Sequence, residues 1–108
     1  MQVPGLQTVT IANGGTESGE VEVPFSAVAA IEIGTLTGAT LEVRGSYAKG
    51  GTKRSFTPTV VLTATDNTIL TLTADQQAAL SALRFLSFVS ALAEVAERTL
   101  RVITKSEN

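Results

Sequence analysis

The sequence contains no cysteine and no histidine, and these two absences exclude several kinds of functional site. Without cysteine there is no disulfide framework, no thiolate metal ligand and no cysteine nucleophile. Without histidine the chain lacks the commonest general base, the commonest transition-metal ligand and the side chain that titrates near neutral pH. We therefore expect a protein that is not an enzyme and that uses no cofactor or metal.

Charge and aromatic side chains are also scarce. The formal net charge is −2 and charged residues make up 17% of the chain, so its field is too weak to attract nucleic acid or an anionic membrane. No stretch has the length of a transmembrane helix, and the N-terminus lacks the basic and apolar regions of a secretory signal. We predict no nucleic-acid, membrane or small-molecule partner.

The remaining composition, rich in threonine and valine with frequent glycine, favours strands joined by turns. At 108 residues the chain can form one core, so we expect a single β-sandwich domain over residues 1–108, with residues 1–6 as an N-terminal arm. Asn13-Gly14 indicates a turn. Alternating apolar residues predict strands over residues 7–11, 20–25, 29–33, 40–46, 59–65, 68–73 and 98–105.

Two of these strands, 59–65 and 68–73, flank Asp66-Asn67 and therefore predict a hairpin with a two-residue turn. Thr73 and Gln76 fit the capping-box spacing and predict a short helix over residues 74–79.

The segment that follows has two interpretations. Its Ala, Leu, Gln and Glu residues have helix propensity and could extend one helix to about residue 97. Apolar residues at 83, 85, 86, 88 and 89 instead occupy both sides of an extended strand, which is typical of a strand in the middle of a sheet. Such a distribution is too broad for one face of a solvent-facing helix.

The longest polar loop, residues 47–58, contains Lys49, Lys53 and Arg54 and is the predicted contact loop. It fails the phosphate-loop motif, because no lysine followed by serine or threonine comes directly after its second glycine. Its Tyr47 and Phe56 are the only plausible aromatic platform for a sugar, but packing of the base of the loop by these rings is the favoured interpretation.

Two pairs of carboxylates lie close enough in sequence for acid-base chemistry, Glu20 with Glu22 and Glu94 with Glu97. Neither pair adjoins an apolar segment that would raise a pKa, so both pairs are interpreted as solvated.

The last two predicted strands carry more apolar residues than so small a core can cover. Leu86, Phe88 and Ile103 are predicted to face outward and to pack against another subunit.

Three segments carry a resemblance to a known family. They are Leu72-Thr-Ala-Asp75 after a hairpin, Ala82-Leu-Arg-Phe-Leu-Ser-Phe-Val-Ser90, and Ala96-Glu-Arg-Thr-Leu-Arg-Val-Ile103. In this order the chain resembles, over residues 31–105, small structural proteins of tailed bacteriophages encoded among capsid and tail genes. It departs from that family in the connector Ala91-Leu-Ala-Glu-Val-Ala96 and in lacking tryptophan.

The resemblance implies a mainly β fold, a jelly-roll-like antiparallel β-sandwich with one short helix, and it favours a strand over the long helix. It implies a noncatalytic virion protein, a capsid cement or decoration protein that binds and stabilises the assembled head. The implied partners are further copies in a homotrimer and the major capsid protein, on the capsid surface of a virion assembled in the host cytoplasm. A neck or tail adaptor and a small virion carbohydrate-binding module are the alternatives.

Overall fold

Eight strands and one short helix make up the regular structure in the computed structural model, which describes residues 6–22, 26–38, 40–63, 65–80 and 84–106. In chain order they are β1 (Leu6–Ile11), β2 (Val21–Glu22), β3 (Ser26–Ile33), β4 (Thr40–Ser46), β5 (Arg54–Thr63), β6 (Thr68–Thr71), α1 (Ala74–Leu80), β7 (Phe85–Ser90) and β8 (Arg98–Ser106). The expected mainly β fold with one short helix is confirmed.

The strands form two antiparallel four-stranded sheets, the first in the order β1-β8-β3-β6 and the second in the order β2-β7-β4-β5. Strands pair as β1 with β8, β2 with β7, β3 with β6 and β4 with β5, which is the pairing of one long hairpin. The hairpin is rolled up so that β3 also pairs with β8 and β4 with β7. Consequently the loops after β1, β3, β5 and β7 all lie at one end, and those after β4 and β6 at the other.

The two sheets share one apolar core, as expected for a sandwich. On β4, Leu41 and Val43 are fully buried while Thr40, Glu42 and Arg44, which alternate with them, are half-buried. Leu100 and Val102 of β8 are also fully buried, which confirms their predicted inward orientation. The core residues of these and the neighbouring strands are Val9, Ile11, Val21, Val28, Ile31, Ile33, Leu41, Val43, Val60, Leu62, Leu86, Phe88, Leu100 and Val102.

The ambiguous segment forms strand β7 in the middle of the second sheet, between β2 and β4. Five of its six residues are buried, on both faces of the strand, so the single long helix is wrong. The predicted outward orientation of Leu86 and Phe88 is also wrong, because both side chains are fully buried in the shared core. They lie opposite Gly45 and Val43 of β4, on the inner face of the sheet.

Ile103 lies on the outer face of the first sheet and is half-buried; in the strand register it lies opposite Leu6 of β1 and Ala30 of β3. Of the predicted N-terminal arm, residues 1–5 lie outside the described residues and Leu6 begins β1. The predicted strand over residues 20–25 is described only as β2, since residues 23–25 also lie outside the described part of the chain.

The predicted hairpin around Asp66-Asn67 is wrong, although the turn itself is present and Asn67 has a φ of 59°. The two flanking strands belong to different sheets, because β5 pairs with β4 and β6 pairs with β3. A pattern of alternating residues specifies a strand but not its partner. The predicted loop 47–58 is shorter than expected, because β5 begins at Arg54.

The capping box at α1 is confirmed. The Thr73 N–H donates to Gln76 Oε1 at 2.9 Å, and the Gln76 N–H donates to Thr73 Oγ1 at 3.2 Å. Leu80 at the end of the helix is fully buried and anchors it to the core.

Candidate interaction surface

Four loops meet at one end of the sandwich, at residues 12–16, 34–38, 65–67 and 91–97, and this region is referred to as the loop end. Main-chain hydrogen bonds join them in pairs. The Asn67 N–H donates to the Gly34 carbonyl at 2.7 Å, and the Leu36 N–H donates to Asp66 Oδ1 at 3.1 Å. The loops after β3 and β5 are therefore fastened to each other.

Glu94 fastens the connector between β7 and β8 to the turn after β1. The Gly14 N–H donates to the Glu94 carbonyl at 2.6 Å, and the Glu94 N–H donates to the Gly15 carbonyl at 2.9 Å. Gly14 has a φ of 84°, a conformation that glycine adopts without strain. A pair of main-chain hydrogen bonds thus joins the turn predicted at Asn13-Gly14 to the connector between β7 and β8.

The carboxylate of Glu94 is completely buried beneath this end. Its Oε1 accepts hydrogen bonds from the Thr37 N–H at 2.8 Å and from Arg98 Nε at 3.0 Å. Its Oε2 accepts a hydrogen bond from the Ser90 hydroxyl at 2.7 Å. One side chain therefore links the loop after β3, the end of β7 and the start of β8.

Burial alone would raise the pKa of Glu94, but the hydrogen bonds from Thr37, Ser90 and Arg98 outweigh it and lower the pKa to about 2. The carboxylate is therefore ionised across the neutral range and has no affinity for a proton there. Glu94 is a structural anchor of the loop end and is unsuited to general acid-base chemistry at neutral pH.

Acid should weaken the domain through this group. A carboxyl pKa lowered from 4.5 to about 2 stabilises the folded state above pH 4.5, by about 3 kcal/mol, and this contribution disappears as the pH falls to about 2. We expect the free energy of unfolding of Glu94→Gln to fall less over this pH window than that of the wild type. Urea unfolding at several pH values measures the difference; parallel curves for the two proteins would show that Glu94 is not the group responsible.

The interpretation of Glu94 as a solvated carboxylate is therefore wrong. Its spacing of four residues from Arg98 suggests an exposed ion pair on a helix, but residues 91–97 form a loop, and the Glu94 carboxylate is fully buried while Arg98 is half-buried. Glu97 is exposed, as are Glu20 and Glu22. The position of Glu94 within an alanine-rich segment was the only sequence signal for its burial. No local pattern shows that loops from two other strands close over it.

Two large aliphatic side chains are displayed on this connector. Leu92 is 57% exposed and Val95 is 71% exposed, and they flank the buried Glu94 in sequence. The connector is also held by the Ser90 side chain, whose Oγ accepts a hydrogen bond from the Leu92 N–H at 3.4 Å, and by Gly38, which packs directly against the Ser90 to Leu92 segment. The apolar surplus expected on β7 is therefore found on the loop that follows it.

The predicted basic loop, residues 47–53 in the structure, lies at the opposite end. Lys49 is exposed as predicted, and so is Arg54 at the start of β5. Lys53 is different, because its ammonium group contacts Glu20 Oε1 at 2.6 Å and the Gly51 carbonyl at 3.0 Å. Lys53 therefore fixes the loop to the rest of the domain and does not present a free charge.

Glu20 holds this basic loop at a second point, since the Gly50 N–H donates to its carboxylate at 2.8 Å. The hydrogen bond from Lys53, together with that from Gly50, lowers the pKa of Glu20. Tyr47, in contrast, is 74% exposed. Phe56 packs partly buried against the core, so the structure does not combine it with Tyr47 into one exposed platform.

Two surface depressions are present, and the larger of them reaches the loop end, where Gly34 and Asn67 line it. One, of about 520 Å³, lies on the outer face of the first sheet and is lined by Ile69, Thr99 and the ion pair of Glu32 with Arg101, whose charged atoms are 3.1 Å apart. The other, of about 250 Å³, lies between β5 and α1 and is lined by Phe56 and Val61. Both are open depressions with no cluster of titratable groups.

The described residues contain no group of three or more Asp or Glu side chains arranged to hold a metal ion. Within the same part of the chain, no helix has the length and apolar character needed to cross a membrane. Comparison of the chain with protein-family models, with curated proteins and with solved structures gives no match.

Proposed function

We propose that this protein is a noncatalytic structural protein that acts by association, as a decoration protein that binds copies of itself and the assembled head of a tailed bacteriophage. The observation that supports association most strongly is the display of Leu92 and Val95, both more than half exposed, on a connector held by a fully buried carboxylate. A surface held in one conformation loses little entropy on binding.

The strand order supports the finer fold assignment within this proposal. A long hairpin rolled into the sheets β1-β8-β3-β6 and β2-β7-β4-β5 is the topology of a jelly roll, which is common in viral capsid proteins and also in lectins and cupins. Fold alone does not identify function. The choice of a phage head therefore also depends on the sequence resemblance over residues 31–105.

The mechanism of stabilisation would be linkage. A protein that binds the assembled shell more tightly than free capsid subunits stabilises the shell by mass action, in proportion to the logarithm of its concentration over its dissociation constant. No chemical step is required. A neck or tail adaptor would use the same surfaces within a larger ring.

Co-sedimentation with shells assembled from the major capsid protein of a tailed bacteriophage that encodes this chain tests the proposal. We expect saturable binding to shells, no binding to unassembled capsid subunits, and a rise in the temperature at which the shells dissociate. A correctly folded protein that leaves the shell pellet empty would refute the head assignment. Binding only to isolated necks or tails would favour the adaptor.

A further inference from the structure

We propose that the loop end of one copy docks on the basic loop of a second copy, so that Leu92 and Val95 cover the Tyr47 ring and Glu97 faces Lys49. This inference rests on the self-association in the proposed function and not on binding to a shell. It assigns the subunit contact to different residues from the buried Leu86 and Phe88.

Each chain carries both apolar surfaces that the proposed contact needs, one at each end of the sandwich. Leu92 and Val95 are neighbours on the braced connector at one end, with 57% and 71% of their surfaces exposed. Tyr47, 74% exposed, is on the loop at the other end. Tyrosine is enriched at protein contacts because its ring is apolar and its hydroxyl can still bond to water or to a partner.

The charges at the two ends are complementary. At the loop end Glu97 and Asp66 are exposed, while the one arginine of the connector region, Arg98, is already paired with Glu94. At the other end Lys53 is paired with Glu20, which leaves Lys49 and Arg54 exposed. Two acidic side chains at the loop end are thus complementary to two basic side chains at the other end, which favours this orientation over contacts between identical ends.

Both surfaces are held in place before they meet. The connector is fixed through Glu94, and the basic loop is fixed because Gly50 and Lys53 both bond to Glu20. Each loop therefore loses little additional conformational entropy on association. Because the contact joins two different patches, it is heterologous and produces a closed ring or an open filament rather than a two-fold dimer.

Sedimentation velocity over a range of protein concentrations tests the apolar contact, with circular dichroism as the check on folding. We expect Leu92→Asp and Val95→Asp to weaken association by at least about tenfold. Ile69→Asp is the matched control, because Ile69 is 59% exposed but lies on the outer face of the first sheet. Equal weakening by Ile69→Asp, or no effect of the two loop-end variants, would overturn the assignment.

Charge reversal tests the orientation of the two copies. We expect Lys49→Glu and Glu97→Lys each to weaken association several-fold at low salt, with a smaller effect at high salt. The double variant restores the attraction with opposite signs, and we expect it to associate better than either single variant. A double variant weaker than both would show that these two residues do not face each other.

The outcome also separates this inference from the proposed function. A wild-type protein that is monomeric yet binds shells contradicts the end-to-end contact and leaves head binding standing. A protein that associates as described but ignores shells supports the contact and refutes the head assignment.

Discussion

Glu94→Ala is expected to destabilise the domain by about 3–5 kcal/mol, since it removes the buried carboxylate that pairs with the half-buried Arg98 and leaves further donors unpaired. The side chain is completely buried and accepts hydrogen bonds from Thr37, Ser90 and Arg98. In a domain of 108 residues such a loss lowers the midpoint of thermal unfolding by on the order of 15 °C or more. Thermal and urea unfolding followed by circular dichroism measure it.

Glu94→Gln provides the graded comparison. The amide keeps the shape of the side chain and one acceptor oxygen but removes the negative charge beside Arg98, so we expect a smaller loss of about 2 kcal/mol at neutral pH. Glu97→Gln, three residues away and exposed, is the control and should change the free energy of unfolding by less than about 0.5 kcal/mol. Equal, small effects of all three substitutions would mean that the buried network contributes nothing.

Gly38→Ala is the second change with a large expected effect. A methyl group at Gly38 would lie 2.8 Å from Ser90 Oγ and 3.0 Å from the main-chain nitrogens of Ala91 and Leu92. Two of these three atoms are main chain and cannot rotate away, so the connector must shift. We expect a loss of about 1–3 kcal/mol, typical of overpacking, measured by urea unfolding.

Gly34 in the same loop is the matched control for this substitution. A methyl group there meets no heavy atom within 4 Å. Gly34→Ala should therefore be neutral to within about 0.5 kcal/mol. If both glycine variants lose the same stability, the close approach of Gly38 to the connector is not the cause.

Strands were predictable where alternation and turns agreed. The pattern of residues 40–46 and of 98–105 gave both the strands and their buried sides, because a half-buried strand shows its orientation directly in its sequence. The capping box at Thr73 gave the start of α1 for a similar reason, since both hydrogen bonds are local.

Pairing was not predictable to the same degree. The strands on either side of Asp66-Asn67 looked like a hairpin, but the turn carries the chain from one sheet to the other. In β7, apolar residues on both faces correctly indicated a central strand but not which face meets the core. Leu86 and Phe88 were therefore predicted to face outward, whereas they face the core.

The contact surface was the least accessible to sequence reasoning. Lys49 and Arg54 are exposed as predicted, but the pairing of Lys53 with Glu20 joins residues 33 positions apart. Glu94 contacts Thr37 across 57 positions. Long-range polar contacts of this kind have no spacing rule, whereas the exposure of Leu92 and Val95 follows only once the connector is known to be a loop.

The most direct test of the account is the mass in solution of the wild type and of the Leu92→Asp, Val95→Asp double variant, measured by sedimentation velocity at matched concentrations. The account predicts that the wild type is an oligomer, with a mass of at least twice 11.2 kDa, and that the folded double variant is a monomer of 11.2 kDa. A wild type that remains at 11.2 kDa at every concentration would contradict it.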